Sequence, residues 1–160
     1  MLGVVANSDG RAEIMSAAME IFLAAGVDLV VHCGDVGGRH VLESMSELGG
    51  VFVWGDRDHD RMGLLRYGQS LGVGCFGLMG EFDYGEKKFV VVHGNDKKVL
   101  KKLIDEQQYD YILTGHGLAT EDRTVGRTRV INPGPLHGGA ARSAILLDPA
   151  TGKVKLLPLS

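Results

Sequence analysis

Apolar positions along the chain follow two alternating rhythms. Leu2 to Ala6 is a short continuous apolar run and predicts a buried strand. From Ala12 to Ala25 the spacing lengthens: Met15, Ala18, Met19, Phe22 and Leu23 share one helical face, and Gly26 is placed to end the helix. Asp28 to Cys33 predicts a second strand, Arg39 to Leu48 a second helix and Val51 to Trp54 a third strand. This β-α-β-α-β order is the signature of a parallel sheet with crossover helices. The pattern weakens from Leu64 to Gly80, where a short helix and then a strand near Val73 to Phe76 are expected. Asp83 to Glu86, with its Tyr84-Gly85 step, predicts a hairpin turn into a strong strand at Lys87 to Val92. A helix over Asp96 to Gln107, with Val99, Leu100, Leu103 and Ile104 as its apolar stripe, leads to a strand at Tyr109 to Leu113. Strands are then expected at Arg127 to Ile131, Arg142 to Leu147 and Lys153 to Leu159, the last two joined by the turn Asp148-Pro149-Ala150-Thr151-Gly152. The expected architecture is one α/β domain over residues 1–160, with two mixed sheets packed together and helices outside.

Composition narrows the class. With 44% hydrophobic and 23% charged residues the chain is neither disordered nor membrane-embedded. A net charge of −3 without blocks of like charge argues against nucleic-acid binding by bulk charge. Glycine is in excess, at 24 of 160 residues against a usual ~7%. Cys33 and Cys75 form no C-x-x-C pair and fit a reduced cytoplasmic chain. The opening residues Met1 to Val5 lack a basic leader, and no run approaches the ~18 apolar residues of a membrane span.

Candidate chemistry gathers where strands end. The five ends read Asn7-Ser8-Asp9-Gly10-Arg11, His32-Cys33-Gly34-Asp35, Gly55-Asp56-Arg57-Asp58, His93-Gly94-Asn95 and Gly115-His116-Gly117. Each delivers a carboxylate, an imidazole or an amide beside a glycine. Any one alone is an ordinary turn or helix cap. Five in order point to the ligand crevice at the carboxyl ends of an α/β sheet. Aspartates and histidines converging there suit zinc, manganese or iron.

The same stretches, with Ile131-Asn132-Pro133-Gly134 and the closing Arg142 to Asp148 strand, resemble the calcineurin-like metallophosphoesterases over nearly the whole chain. The likeness is greatest to their small bacterial and archaeal phosphodiesterases. The family pattern is D-x-H, G-D, G-N, H-G-H, G-H-x-H and N-P-G-S. The resemblance implies a four-layer αββα sandwich of two mixed sheets flanked by helices, a dinuclear centre, and hydrolysis of a phosphorylated small-molecule substrate.

The departures from that pattern are specific. D-x-H is Asn7-x-Asp9, the G-N asparagine is Asp56, and the second histidines of the last two motifs are Asn95 and Leu118. Carried over residue by residue, one ion would have Asp35, Asp56, His93 and His116, all able to ligate. The other would have Asn7, Asp9 and Asp35, with Leu118 where an imidazole is expected. One tightly bound divalent ion, manganese, zinc, iron or nickel, is therefore expected, beside a weakened second site. Asp35 and Asp56 are the expected catalytic carboxylates. Arg57 either contacts a phosphate or pairs with Asp58 or Asp60. His59 and His137 are spare imidazoles, the latter within reach of the crevice. Two functions stand open: a slow metal-dependent phosphoesterase, or a non-catalytic binding or scaffold protein of the same fold. No membrane partner is expected, and self-association is left open.

Overall fold

The computed structural model describes residues 1–160. Its first half is the predicted alternation: β1 (Leu2–Val5), α1 (Ala12–Ala24), β2 (Leu29–His32), α2 (Arg39–Ser46), β3 (Gly50–Phe52), α3 (Arg61–Leu71) and β4 (Gly74–Cys75). The second half runs β5 (Met79–Tyr84), β6 (Lys87–Val92), α4 (Lys97–Glu106), β7 (Tyr111–Leu113), β8 (Thr120–Val125), β9 (Thr128–Pro133), β10 (Arg142–Asp148) and β11 (Lys153–Leu159). One sheet has the order β11-β10-β1-β2-β3-β4, the other β5-β6-β7-β9-β8. In the first sheet β1 to β4 pair in parallel and β10 pairs antiparallel with both β1 and β11; in the second β6, β7 and β9 pair in parallel between the antiparallel edges β5 and β8, so both sheets are mixed.

Burial explains the layering. Val5 and Val30 point to a cluster shared with Met15, Phe22, Leu42 and Phe52, between the first sheet and α1 to α3. Their neighbours Val4 and Val31 point the other way, into a cluster with Phe89, Val91, Tyr111 and Leu113 of the second sheet. On that second sheet Val90, Val92 and Ile112 turn outward to meet Leu103 and Ile104 of α4. Three apolar interfaces between four layers give an αββα sandwich. Central strands buried on both faces lose the alternation of a half-exposed strand, which is why they read as continuous apolar runs.

Local chemistry sets the helix ends. Asp96 Oδ1 accepts from the backbone N–H groups of Lys98 (3.0 Å) and Val99 (3.1 Å) and starts α4. Asp60 Oδ1 accepts from Gly63 N–H (3.0 Å), so α3 starts at Arg61, earlier than the apolar pattern at Leu64 suggests. Two strands have no counterpart in the sequence reading. β5 and β8 are the two edges of the second sheet, largely exposed and polar in sequence, so no hydrophobic rhythm marks them. No helix is long and apolar enough to cross a membrane.

Candidate metal centre

The candidate residues come from the carboxyl ends of β1, β2 and β3 in one sheet and of β6 and β7 in the other, so the site lies on the seam between the sheets. The turn after each strand is tight. Asn7 (φ 53°), Asp9 (φ 46°) and Asp35 (φ 56°) are three of the four non-glycine residues in the left-handed region. Asn and Asp tolerate that region better than other residues, at a cost of order 1 kcal/mol each. Glycine is required at two contacts. A Cβ on Gly34, itself at φ 99°, would lie 2.6 Å from His93 Nδ1, and one on Gly55 would lie 2.0 Å from Asp35 Oδ1.

Asp56, His93 and His116 form the core of the site, with one ligand atom from each lying within 4.8 Å of the others. His93 is buried, and its Nδ1 lies 2.8 Å from the Cys33 carbonyl. A carbonyl only accepts, so Nδ1 carries the hydrogen and Nε2 is the free position. Nε2 lies 2.9 Å from Asp56 Oδ1 and 3.3 Å from Asp35 Oδ2, yet no hydrogen bond of good geometry reaches it. A buried lone pair facing two carboxylate oxygens is stable only with a cation among them, either a proton or a metal ion. Orientation of a ligating histidine by a backbone carbonyl is a common arrangement in metal sites. His116 Nδ1 lies 3.6 Å from the same Asp56 oxygen. Its backbone N–H donates to His93 O (2.7 Å), and Asn132 Nδ2 donates to His116 O (2.9 Å). The Asn132-Pro133-Gly134 turn thereby braces the histidine.

The protonation equilibria reflect this crowding. Burial pushes His93 towards the neutral form, but the Asp35 carboxylate close to Nε2, the Cys33 carbonyl at Nδ1 and the charge of Asp56 outweigh it, so its pKa is raised. Burial likewise opposes ionisation of Asp35. The close approach of His93, the Arg57 backbone N–H and the positive charges of both residues win, holding its pKa at about 2. Asp9 is raised: burial and neighbouring carboxylates outweigh Arg57 and His137.

The other half of the site is built differently. Asp35 stands outside the tight group of three and turns towards Arg57. The Arg57 backbone N–H donates to Asp35 Oδ1 (2.9 Å), its Nε to Asp35 Oδ2 (3.2 Å) and its Nη1 to Asp9 Oδ2 (3.2 Å). Arg57 thus pairs with Asp9 and Asp35, not with Asp58 or Asp60. Asn7 donates through Nδ2 to the carbonyls of Gly115 (2.7 Å) and Gly117 (3.0 Å), tying the two sheets together, and leaves its Oδ1 buried without a partner. Leu118 is 55% exposed. His59 lines a shallow depression beside Arg57. His137 is fixed by its backbone N–H to Asn7 O (2.9 Å).

Two residues of the strand-end stretches, Asp58 and His32, have a positioning role that the sequence did not assign them. Asp58 is buried, and its carboxylate accepts from Val36 N–H (3.2 Å), Gly37 N–H (2.8 Å) and Gly55 N–H (2.8 Å), locking the loops after β2 and β3 together. His32 accepts at Nδ1 from Gly34 N–H (3.2 Å) and donates from Nε2 to Ser8 Oγ (2.8 Å), which donates to Val36 O (3.0 Å). Ser8 and His32 have the pairing of a nucleophile and its base. Both are fully buried, however, and the Ser8 hydrogen is committed to a carbonyl, so the pair is structural. Only a buried polar position adjacent to a strand end, a weak signal, marks either in the sequence.

Residues 1–152 match the calcineurin-like phosphoesterase superfamily domain. A phosphodiesterase of Methanocaldococcus jannaschii is 25% identical over 142 residues, which cover 86% of this chain and 84% of that one. Among solved structures, an archaeal phosphodiesterase superposes with a TM-score of 0.92 at 23% identity, covering 99% of both chains. Yfce, a phosphoesterase from E. coli, superposes with a TM-score of 0.69 at 17% identity, again over 99% of both. With two mixed sheets, a histidine–aspartate cluster on their seam and a match along almost its full length, the chain belongs to the calcineurin-like phosphoesterase superfamily.

Proposed function

We propose that this protein is a metal-dependent phosphodiesterase working with one tightly held divalent ion. The observation that carries the proposal is His93 Nε2, buried, without a directed hydrogen bond, and faced by oxygens of Asp35 and Asp56. Asp35, Asp56, His93 and His116 would hold the ion, a donor set of two carboxylates and two imidazoles that suits manganese, zinc, iron or nickel. An ion there supplies a Lewis acid for a phosphoryl oxygen and lowers the pKa of water.

The chain's own groups do the rest. The Cys33 carbonyl fixes the His93 ring, and the Asn132 side chain fixes the backbone at His116. Arg57, with its side chain 56% exposed, is open to contact a substrate phosphate. In hydrolysis, water adds to phosphorus, the ester P–O bond breaks, and the water's protons are shared between the released alcohol and the medium. Similarity to a phosphodiesterase of M. jannaschii supports a diester as substrate. The unpaired thiols of Cys33 and Cys75 fit a reducing, cytoplasmic setting.

The test is hydrolysis of bis(p-nitrophenyl) phosphate by metal-free protein given manganese, zinc, iron(II) or nickel in turn. Turnover is expected with at least one ion, should vanish on chelation, and should fall at least ~100-fold in His93→Ala, a loss of more than ~2.7 kcal/mol of transition-state stabilisation. Absence of turnover with all four ions would instead favour a binding protein of this fold.

A further inference from the structure

We infer that the Arg57 guanidinium is a built-in replacement for the second metal ion, so that the site pairs one exchangeable dication with one covalently attached cation. The inference rests on the one-ion phosphoesterase reading above and specifies what stands beside the ion.

Three observations converge. First, Arg57 occupies the oxygens a second ion would need: Nη1 is 3.2 Å from Asp9 Oδ2 and Nε is 3.2 Å from Asp35 Oδ2. Second, Asp35 Oδ2 faces both ways. It lies 3.2 Å from the guanidinium and 3.3 Å from His93 Nε2, the position of a carboxylate bridging two positive centres. Third, the remaining donors on that side are poor for a dication. Asn7 offers a neutral amide, its nitrogen tied to two carbonyls, and Leu118 offers a hydrocarbon.

Charge agrees with geometry. Asp9, Asp35 and Asp56 bring three negative charges to the crevice. One dication and the guanidinium balance them, whereas a second dication added to Arg57 would leave the crevice with a surplus of positive charge. The arginine keeps part of a second ion's function. Neither side-chain ion pair uses Nη2, and the side chain is 56% exposed, so its planar N–H fork can receive a phosphoryl oxygen. It keeps none of an ion's capacity to acidify water. The ligand this arrangement fits is a phosphate ester, with one non-bridging oxygen on the ion and another on Arg57.

The test is metal stoichiometry, with inorganic phosphate as a second probe. The full chain and its Arg57→Ala and Arg57→Met variants are titrated with Mn²⁺, with bound metal measured by elemental analysis after equilibrium dialysis and ion coupling by electron paramagnetic resonance. The unaltered chain should hold one magnetically isolated ion. Either variant should take up a second, weaker ion on the freed oxygens of Asp9 and Asp35, with an exchange-coupled signal. Free guanidinium, at concentrations that leave the fold intact by circular dichroism, should compete with that second ion. At Mn²⁺ concentrations that fill only the first site, phosphate affinity should fall about 10- to 100-fold in both variants, the loss of one charge-assisted hydrogen-bond pair. Arg57→Lys should recover part of it.

Two ions bound to the unaltered chain would overturn the replacement and leave the phosphoesterase reading standing. No ion bound to the unaltered chain would overturn both. A variant that stays at one ion at millimolar Mn²⁺, or keeps its phosphate affinity, would also refute it.

Discussion

Asp58 offers the sharpest structural test, because one carboxylate holds three backbone donors from two loops. Its Oδ2 accepts from Val36 N–H (3.2 Å) and Gly55 N–H (2.8 Å), and its Oδ1 from Gly37 N–H (2.8 Å). The side chain is buried, so Asp58→Ala leaves three donors facing a gap rather than solvent. Hydrogen bonds to a charged partner contribute ~1.5–3 kcal/mol each, but the three share one anchor and water can enter part of the gap. A net loss of about 3–5 kcal/mol is expected, a large share of the ~5–15 kcal/mol that holds a domain of this size together. Asp58→Asn keeps one accepting oxygen but turns an amide N–H₂ towards a backbone N–H, and should cost about 2 kcal/mol. Urea unfolding at neutral pH in chelator measures both. Trp54 is a convenient reporter, since it precedes Gly55 and lies under the Arg61 guanidinium, 5.4 Å from the ring centre. The same loops carry Asp35 and Asp56, so metal affinity should also drop, by roughly 10- to 100-fold. If Asp58→Ala unfolds within about 1 kcal/mol of the unaltered chain, the three contacts carry little, and the loops are held by something else.

Other expectations follow from the same geometry. His32 is buried as a neutral ring and its pKa is pushed down, by burial first, to about 4 from 6.5. Its unfolded form takes up the proton first, so stability is full above about pH 6.5 and declines as pH falls towards 4. The decline should be absent from His32→Asn, and a stability profile parallel to that of the unaltered chain would refute the assignment. Asp35, held at about 2, loses its contribution only at still lower pH, so the two windows separate. Gly55→Ala would place a methyl group 2.0 Å from Asp35 Oδ1 and should abolish tight metal binding even where the fold survives, as calorimetry can show. Burial raises the pKa of the Cys33 thiol, so a native chain should expose at most Cys75 to a thiol reagent, and both cysteines only after denaturation.

How much was legible in the sequence differs from element to element. Strands buried on both faces announce themselves because no position along them tolerates a charge, as Val30 and Val31 or Phe89 to Val92 show. Helices α1 and α4 declare one apolar face and their own stop or start signals, Gly26 and Asp96. The edge strands β5 and β8 were silent because exposure on one or both faces removes the pressure for a hydrophobic rhythm. Backbone pairing to β6 and β9 defines them, and that pairing is a property of the assembled sheet. The order of Asp, Gly and His residues at strand ends pointed to the crevice, since chain topology carries every parallel strand's carboxyl end to the same side. What the order withheld was partner choice. Arg57 pairs with Asp9, 48 residues away, and with Asp35, rather than with the sequence neighbours Asp58 and Asp60. Asp58 turns inward because backbone N–H groups from two loops converge where a side chain at that position can reach them. Residue type and period determine which segments fold and which ends carry chemistry. Which charge meets which depends on distances across two packed sheets, and those exist only once the sheets have packed.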